Sequence, residues 1–433
     1  MELENELQRL TVTKKHINIV FIGHVDAGKS TIGGQILYLS GKVDKRTLEK
    51  YEKESREKNR ESWYLSWALD SNPEEREKGK TTELGQAYFE LENTVVQILD
   101  APGHKMYVPS MIQGVSQADV AIIVISARQN EFEAGFEKGG QTREHIYLAK
   151  ASGIPTVCVV VNKMDEPTVQ WSEERYSQII NSTQKMLGAL FGKENLTYIP
   201  ISGFLGENIE ERVPKSTCGW YKGPSFFEYL SALKVPRNET GPLSVAITDA
   251  TRDMGNSLVF ARVEQGILEK KAVKLMPGSR KITITSIAKE EEEIDRAGPG
   301  ECVRLKFKET EDLSPGDMLT SPDTNSILDS NYFMAQLSIL DAKSLITKGY
   351  GAIMHMGSRT VPVSIGELYK KTDNKIHKVK FTKTGDKVVA EVFATEIIPL
   401  EVFQAGRRSG IFTLRDESRT VGFGKVLKIK EKK

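Results

Sequence analysis

The chain has 433 residues, with 60 lysines and arginines against 59 aspartates and glutamates, so its net charge is +1. This length predicts two to four domains with ample core. So balanced a charge excludes a general polyanion binder, and any large nucleic-acid partner must be bound through local patches.

The first predicted strand, Ile17 to Ile22, runs into a glycine-rich loop. The loop and the start of the next helix, which continues to Leu39, read Gly23-His24-Val25-Asp26-Ala27-Gly28-Lys29-Ser30-Thr31. Two glycines four residues apart followed by Lys-Ser, between a strand and a helix, form the phosphate-binding P-loop pattern. Its backbone N–H groups can cradle phosphate oxygens, Lys29 can reach the β- and γ-phosphates, and the Ser30 hydroxyl can ligate Mg²⁺.

A long polar stretch follows, from Gly41 to Tyr88, and begins with a charged surface helix predicted from Thr47 to Arg60. Its later part contains a mobile, glycine-containing segment that ends in Thr81. A threonine at that place can put its hydroxyl on Mg²⁺ and its N–H on a γ-phosphate, and hydrolysis would release it. The alternative interpretation of Thr81 is an ordinary solvated loop residue.

Three further motifs close three predicted strands. Asp100 to Gly103 follows the strand Thr94 to Leu99, so Asp100 can hold Mg²⁺ through water and the Gly103 N–H can sense the γ-phosphate. The motif Asn162-Lys163-Met164-Asp165 follows the strand Thr156 to Val161, and Ser202-Gly203-Phe204 follows the strand Thr197 to Ile201. Ligands of open α/β sheets bind at this edge of the sheet.

The last two motifs predict a guanine site. Asp165 can accept two hydrogen bonds from the guanine edge, the Lys163 stem can lie over the ring, and backbone donors at Ser202 and Gly203 can reach the base oxygen. Two hydrogen bonds to a charged group favour guanine about a hundredfold to ten-thousandfold, since each contributes roughly 1.5–3 kcal/mol. The complete set of candidate nucleotide-binding residues is Gly23, His24, Val25, Asp26, Ala27, Gly28, Lys29, Ser30, Thr31, Asp100, Gly103, Asn162, Lys163, Asp165, Ser202, Gly203 and Phe204.

The pattern changes after residue 235. Residues 16–235 alternate strands and helices, as in a doubly wound, mostly parallel sheet. Beyond a linker near residue 236, alternating segments separated by Gly/Pro turns predict two antiparallel β-barrels, at residues 236–325 and 326–433. Residues 1–15 are a predicted N-terminal tail, and Glu290 to Glu293 is a predicted solvated loop.

The cysteines and the termini suggest a location. Cys158, Cys218 and Cys302 show no metal-ligand spacing, so we expect unpaired, reduced thiols. The acidic N-terminus lacks the apolar run of a signal peptide, and no apolar run is long enough to cross a membrane. These features predict a cytoplasmic protein.

Several of these sequence motifs resemble those of a known family. The P-loop, the Asp-Ala-Pro-Gly-His motif at Asp100 and Gln141-Thr142-Arg143-Glu144-His145 look like the translational GTPases. Three segments are most similar to eukaryotic class II polypeptide release factors: Asn59 to Asp70, Glu75 to Thr81, and Phe412 to Glu417. The resemblance extends from about His16 to the C-terminus.

The resemblance implies catalytic roles for His104, Asp26 and Thr81. His104 matches the histidine that orders the attacking water, Asp26 matches a P-loop aspartate near the phosphates, and Val25 matches one side of an apolar gate over that histidine. The other side is Lys80, which departs from the apolar residue of elongation factors. We interpret Gly139-Gly140-Gln141 as scaffold and not as a catalytic loop.

The implied activity is GTP hydrolysis, with GTP or GDP and Mg²⁺ as ligands. The implied partners are a class I polypeptide release factor and the ribosome, whose rRNA and sarcin-ricin loop would meet the GTPase domain, while the free chain is a monomer without a membrane partner. We expect the last β domain, near Phe412 and Arg415, to bind the release factor, with Phe412 exposed. The alternative places Phe412 in the core and makes Arg415 a solvated strand residue. The alternatives are a ribosome-rescue or tRNA-delivering GTPase, a metabolic GTPase, and a non-hydrolysing GTP-binding scaffold.

Overall fold

The structure is a computed structural model, and it describes residues 14–57, 63–69, 81, 84–103, 107–136, 140–253, 256–289, 292–308, 312–372, 375–404, 407–417 and 419–430. These residues fall into two compact units. One lies within Met1–Ile146 and Ile154–Val235, and the other within Tyr147–Gly153 and Pro236–Lys433. Among the described helices, none combines the length and the apolar character needed to cross a membrane.

The first unit contains a six-stranded sheet in the order β2-β3-β1-β4-β5-β6. Its strands are β1 Lys15–Gly23, β2 Gly85–Leu91, β3 Thr94–Asp100, β4 Val120–Ser126, β5 Thr156–Asn162 and β6 Leu196–Pro200. The pairings are parallel except for β2 with β3. Every residue of β4 is buried, as expected for a central parallel strand that is apolar throughout. The predicted α/β fold with a mostly parallel sheet is therefore confirmed.

Helices connect the strands of this sheet. They are α1 Lys29–Leu39, α2 Lys45–Glu57, α3 Val108–Gln117, α4 Glu131–Phe136, α5 Gln141–Ala151, α6 Glu173–Phe191 and α7 Phe226–Ala232, with short 3₁₀ turns at Ser66–Ala68 and Lys193–Asn195. Capping side chains fix two of the helix starts. The Ser172 hydroxyl accepts from the Arg175 N–H at the start of α6, and Ser225 with Glu228 forms a capping box at α7.

Two closed antiparallel barrels form the second unit, as predicted. The first barrel closes in the order β10-β15-β7-β8-β14-β11-β10, and β12 pairs with β11 outside the ring. Its strands, with the ribbon β9–β13, are β7 Ser244–Asp253, β8 Asn256–Gln265, β9 Leu268–Glu269, β10 Ala272–Met276, β11 Arg280–Lys289, β12 Glu292–Ile294, β13 Arg296–Ala297, β14 Cys302–Phe307 and β15 Met318–Thr320. Residues 292 and 293 are the described part of the predicted loop at Glu290 to Glu293. The prediction is wrong there, because Glu292 and Glu293 pair with β11.

The second barrel closes in the order β18-β23-β24-β16-β22-β19-β18, with β20 added beside β19 and a ribbon formed by β17 and β21. Its strands are β16 Leu328–Ile339, β17 Ile346–Thr347, β18 Gly351–Met356, β19 Arg359–Thr372, β20 Lys375–Val379, β21 Phe381–Thr382, β22 Lys387–Leu400, β23 Ile411–Asp416 and β24 Arg419–Ile429. Inward residues of the ring fill one core.

The expected exposure of Phe412 is wrong, and the alternative of a core residue is confirmed. Phe412 is 1% exposed and belongs to the barrel core, where its ring meets Phe333 edge-on at 5.6 Å between centroids. Arg415 is also buried, and its guanidinium donates to the Thr420 hydroxyl at 3.3 Å. The strand alternation explains the position of Phe412, because Phe412 and Leu414 share the inward face of β23.

Candidate nucleotide-binding site

The predicted motifs converge at one edge of the six-stranded sheet. The P-loop follows β1, the Asp100 motif follows β3, the Asn162 motif follows β5 and the Ser202 motif follows β6. These four strands run parallel, so their carboxyl ends meet at the same edge, where open α/β sheets bind ligands.

The P-loop is a tight turn that requires a glycine at its end. Gly28 ends the loop with φ 92°, and a Cβ there would lie 2.3 Å from Asn162 Nδ2. Asp26 is also left-handed at φ 64°, a conformation that aspartate tolerates better than most residues. Gly103 approaches from the next strand, because a Cβ there would lie 2.7 Å from Lys29 Nζ and 3.2 Å from Val25 Cγ2. The loop and the Gly103 turn therefore enclose the Lys29 ammonium.

Lys29 is a buried cation held by backbone oxygens. It is 7% exposed, and its Nζ donates to the carbonyls of His24 at 3.0 Å and Gly23 at 3.3 Å. Burial lowers the pKa of Lys29, while the negative charges of Asp100 and Asp26 act in the opposite direction. A buried ammonium bound mainly by neutral carbonyls fits an anionic ligand such as a phosphate.

Three oxygen-bearing side chains meet beside Lys29. The Ser30 hydroxyl donates to Asp100 Oδ2 at 2.5 Å and lies 3.2 Å from the Thr81 hydroxyl. Among the described residues no group of three or more His, Cys, Asp or Glu side chains could hold a metal ion. Two hydroxyls and one carboxylate are, however, the hard oxygen donors that Mg²⁺ prefers. The arrangement also brings Thr81, 51 positions along the chain, to the P-loop serine.

Asn162 connects two of the loops. Its Nδ2 donates to the Ala27 carbonyl at 2.9 Å, and its Oδ1 accepts from the Gly203 N–H at 2.8 Å. The side chain is 3% exposed, so both bonds are shielded from water. Asn162 therefore fixes the distance between the P-loop and the predicted base loop.

The predicted guanine residues lie around this bridge. Lys163 is left-handed at φ 63°, and its Nζ pairs with Glu131 Oε2 at 2.8 Å. Burial acts to raise the pKa of Glu131, but hydrogen bonds from Lys163 and Ser126 outweigh it, so that pKa lies below its usual value. Asp165 follows in a half-buried turn. The pair Lys163–Glu131 anchors the lysine stem expected to cover the base.

The base loop presents a different donor from the one predicted. The Ser202 N–H donates to the Glu207 carbonyl at 3.1 Å, and the Gly203 N–H is bonded to Asn162. The Phe204 N–H makes no hydrogen bond to another described residue. The Phe204 residue is 44% exposed, and its ring meets the Tyr64 ring edge-on with 6.1 Å between centroids. Phe204 thus offers both a backbone donor and an aromatic face.

The remaining predicted residues lie as follows. Thr31 is half-buried in the first turn of α1, and Ala27 is 3% exposed. Burial, and next the charge of Lys29, lower the pKa of half-buried His24. His104 and Lys80, predicted to order the water and to form part of the gate, lie outside the described residues.

The sequence analysis gave no site role to two supporting residues. On helix α5, Gln141 Oε1 accepts from the Val25 N–H at 3.4 Å, and His145 Nδ1 accepts from the Gly23 N–H at 3.3 Å. Their i, i+4 spacing places both on one helix face. The sequence analysis used the segment from Gln141 to His145 only as a family motif. These contacts support the interpretation of Gly140-Gln141 as scaffold.

The chain is similar to several known proteins. The family model of the elongation factor Tu GTP binding domain matches residues 14–265, and that of the GTP-eEF1A C-terminal domain-like family matches residues 332–427. The eukaryotic peptide chain release factor GTP-binding subunit of Schizosaccharomyces pombe is 46% identical, with 99% of this chain and 66% of that protein covered. The subunit of the same name from Debaryomyces hansenii is 46% identical, with 96% and 61% covered.

A solved structure shows the same fold. The Saccharomyces cerevisiae Ski7 GTPase-like domain, bound to GTP, matches with a TM-score of 0.79 at 15% identity, covering 98% of this chain and 99% of that one. At this identity the match concerns the fold alone. The chain spans 61–66% of the length of the two curated relatives.

Proposed function

This chain belongs to the eukaryotic peptide chain release factor GTP-binding subunits, within the GTPases of the elongation factor Tu type, and from this we propose that it hydrolyses GTP during translation termination. It would act with a class I release factor on ribosomes halted at a stop codon, in the cytoplasm. The observation that carries the proposal is the buried Lys29 enclosed by the P-loop beside the Ser30–Asp100–Thr81 group.

This group gives each phosphate-binding residue a task. Lys29 and the loop N–H groups bind the β- and γ-phosphates, and the Gly103 N–H meets the γ-phosphate. The hydroxyls of Ser30 and Thr81 would hold Mg²⁺, with Asp100 acting through water. When bound, the ion neutralises charge on the phosphates. Thr81 would leave the site when the γ-phosphate is gone, so its position reports the nucleotide state.

The base and the attacking water are assigned to other residues. Asp165 accepts from the guanine edge, the Lys163 stem and the Phe204 ring cover the two faces of the base, and the Phe204 N–H donates to the base oxygen. His104 orders the water, Asp26 lies near the phosphates and Val25 covers the histidine, as the family resemblance implies.

The proposed partners meet different parts of the chain. The GTPase domain would contact the sarcin-ricin loop, and the second barrel would contact the class I release factor. Because Phe412 and Arg415 are buried, they support that surface and do not touch the partner. Exposed Glu417, which directly follows β23 and pairs with Lys343, is a described charge of this barrel that a partner could reach.

Four parallel turnover measurements test the proposal: the chain alone, with ribosomes, with a class I release factor, and with both. We expect slow hydrolysis alone and a rise of up to about 10⁵-fold with both, since a partner that completes a GTPase site has this effect. Lys29→Met is the control that should remove binding and turnover. GTP binding with equal, negligible turnover in all four mixtures would contradict hydrolysis and favour a binding scaffold.

A further inference from the structure

The loop that carries Asp165 is closed by a tryptophan. Residues 163–171 run from the end of β5 to the start of α6, and the Trp171 N–H donates to the Met164 carbonyl at 2.8 Å. The Met164 N–H donates in turn to the Ile201 carbonyl at 3.2 Å. Met164 directly precedes Asp165, so the backbone that leads into Asp165 is held from two sides.

The closing turn has an unusual backbone. Gln170 and Trp171 have φ values of 47° and 53°, so two successive residues with a Cβ are left-handed. Residues in such sparsely populated conformations persist only where their surroundings fix them, and they cluster at functional sites. Trp171 is 6% exposed, so the interior of the domain fixes this turn.

A second tryptophan holds the turn in place. Trp220 Nε1 donates to the Trp171 carbonyl at 2.8 Å. The Trp220 ring packs on Tyr176, with 4.8 Å between centroids, and the Tyr176 hydroxyl donates to the Tyr198 carbonyl of β6 at 3.0 Å. A continuous set of contacts therefore runs from the sheet through Trp220 to the Asp165 loop.

We propose that Trp220 is a positioning residue for guanine selection. Its indole N–H fixes the left-handed turn at Trp171, and that turn holds the Met164–Asp165 backbone where the carboxylate meets the base. The inference rests on the proposed function, because it needs Asp165 as the base-site carboxylate. The phosphate-binding residues around Lys29 make no described contact with Trp220. Loss of the Trp220 N–H should therefore change recognition of the base and leave phosphate binding unchanged.

The test compares GDP with inosine diphosphate on the full chain. Inosine lacks the exocyclic amine, so it forms one of the two hydrogen bonds that guanine gives Asp165. Trp220→Phe keeps an aromatic ring beside Tyr176 and removes the N–H donor. The preference for GDP is the dissociation constant of inosine diphosphate divided by that of GDP. We expect this ratio to fall about two- to tenfold, which is the contribution of one neutral hydrogen bond. Tyr221→Phe is the matched control, because it removes the hydroxyl bonded to the Pro224 carbonyl at 2.9 Å in the same aromatic cluster, and the ratio should not change.

A second variant separates the hydrogen bond from the ring shape. Replacing Trp220 with β-(3-benzothienyl)alanine keeps the bicyclic shape and exchanges the N–H for sulfur, so it should lower the ratio as Trp220→Phe does. An unchanged ratio in both variants, or an equal loss of affinity for both nucleotides, overturns the positioning role. A wild-type chain that does not prefer GDP would instead overturn the guanine site itself.

Discussion

Asn162→Ala should weaken GDP binding although the side chain is fully engaged with protein groups. The change removes the two buried bonds that join the Ala27 carbonyl to the Gly203 N–H. Each buried group that loses its partner costs about 1–3 kcal/mol, so the pair costs about 2–6 kcal/mol. In the free variant the loops can separate and water can enter the gap, which recovers part of this cost. GDP binding must then expel the water and bring the loops together again, so this part is lost from the binding free energy. We therefore take about 2 kcal/mol, which is roughly a 30-fold loss of GDP affinity.

The assay is a titration of GDP against wild type and variant, with thermal unfolding of both measured alongside. Asn208→Ala is the matched control, since Asn208 is 1% exposed and also donates to one carbonyl, Pro200 at 2.8 Å, and accepts from one N–H, Val213 at 3.1 Å. Both variants should lower the unfolding temperature, but only Asn162→Ala should lower GDP affinity by about 30-fold. Equal losses of affinity in the two variants would refute a specific bridge between the nucleotide loops.

Three further predictions address the base, the water and pH. Asp165→Asn should lower GDP affinity by about a hundredfold or more and raise affinity for xanthosine diphosphate, because an amide can donate to the xanthine oxygen. Unchanged GDP affinity would remove Asp165 from the site. His104→Ala should abolish ribosome-stimulated turnover with GTP binding nearly intact, whereas a matching loss of affinity would make His104 structural. Burial, and next the charge of Arg415, lower the pKa of His355 from 6.5 to about 4. The unfolded chain therefore takes up this proton first, and stability present above pH 6.5 is lost as pH falls towards 4, by up to about 3 kcal/mol. Urea unfolding at pH 7 and 4.5 should show a smaller loss in His355→Gln, and an equal loss would contradict this assignment.

The sheet and the phosphate loop were predictable because their signals are local. Strand β5 is a continuous apolar run that leads directly into the Asn162 motif, so its end and its site residues are read from the same few positions. The contact of Ser30 with Thr81 was expected only through the ligand they would share, since no local pattern joins positions 51 apart.

The supporting residues could not be predicted, because their partners are distant in sequence. Gln141 meets Val25 and Trp220 meets Trp171 only after the helices have packed. Phe412 was assigned to the surface from its motif, although the alternation of β23 places it inside. The strand at Glu292 was missed because edge strands tolerate charged residues and resemble loops in composition.

Peptide release from ribosomes halted at a stop codon tests the central claim most directly. With a class I release factor present, adding this chain and GTP should speed release, and Lys29→Met or a non-hydrolysable GTP analogue should remove the gain. Release that is equally fast with and without the chain, in a preparation that binds GTP, would contradict its role as a termination GTPase.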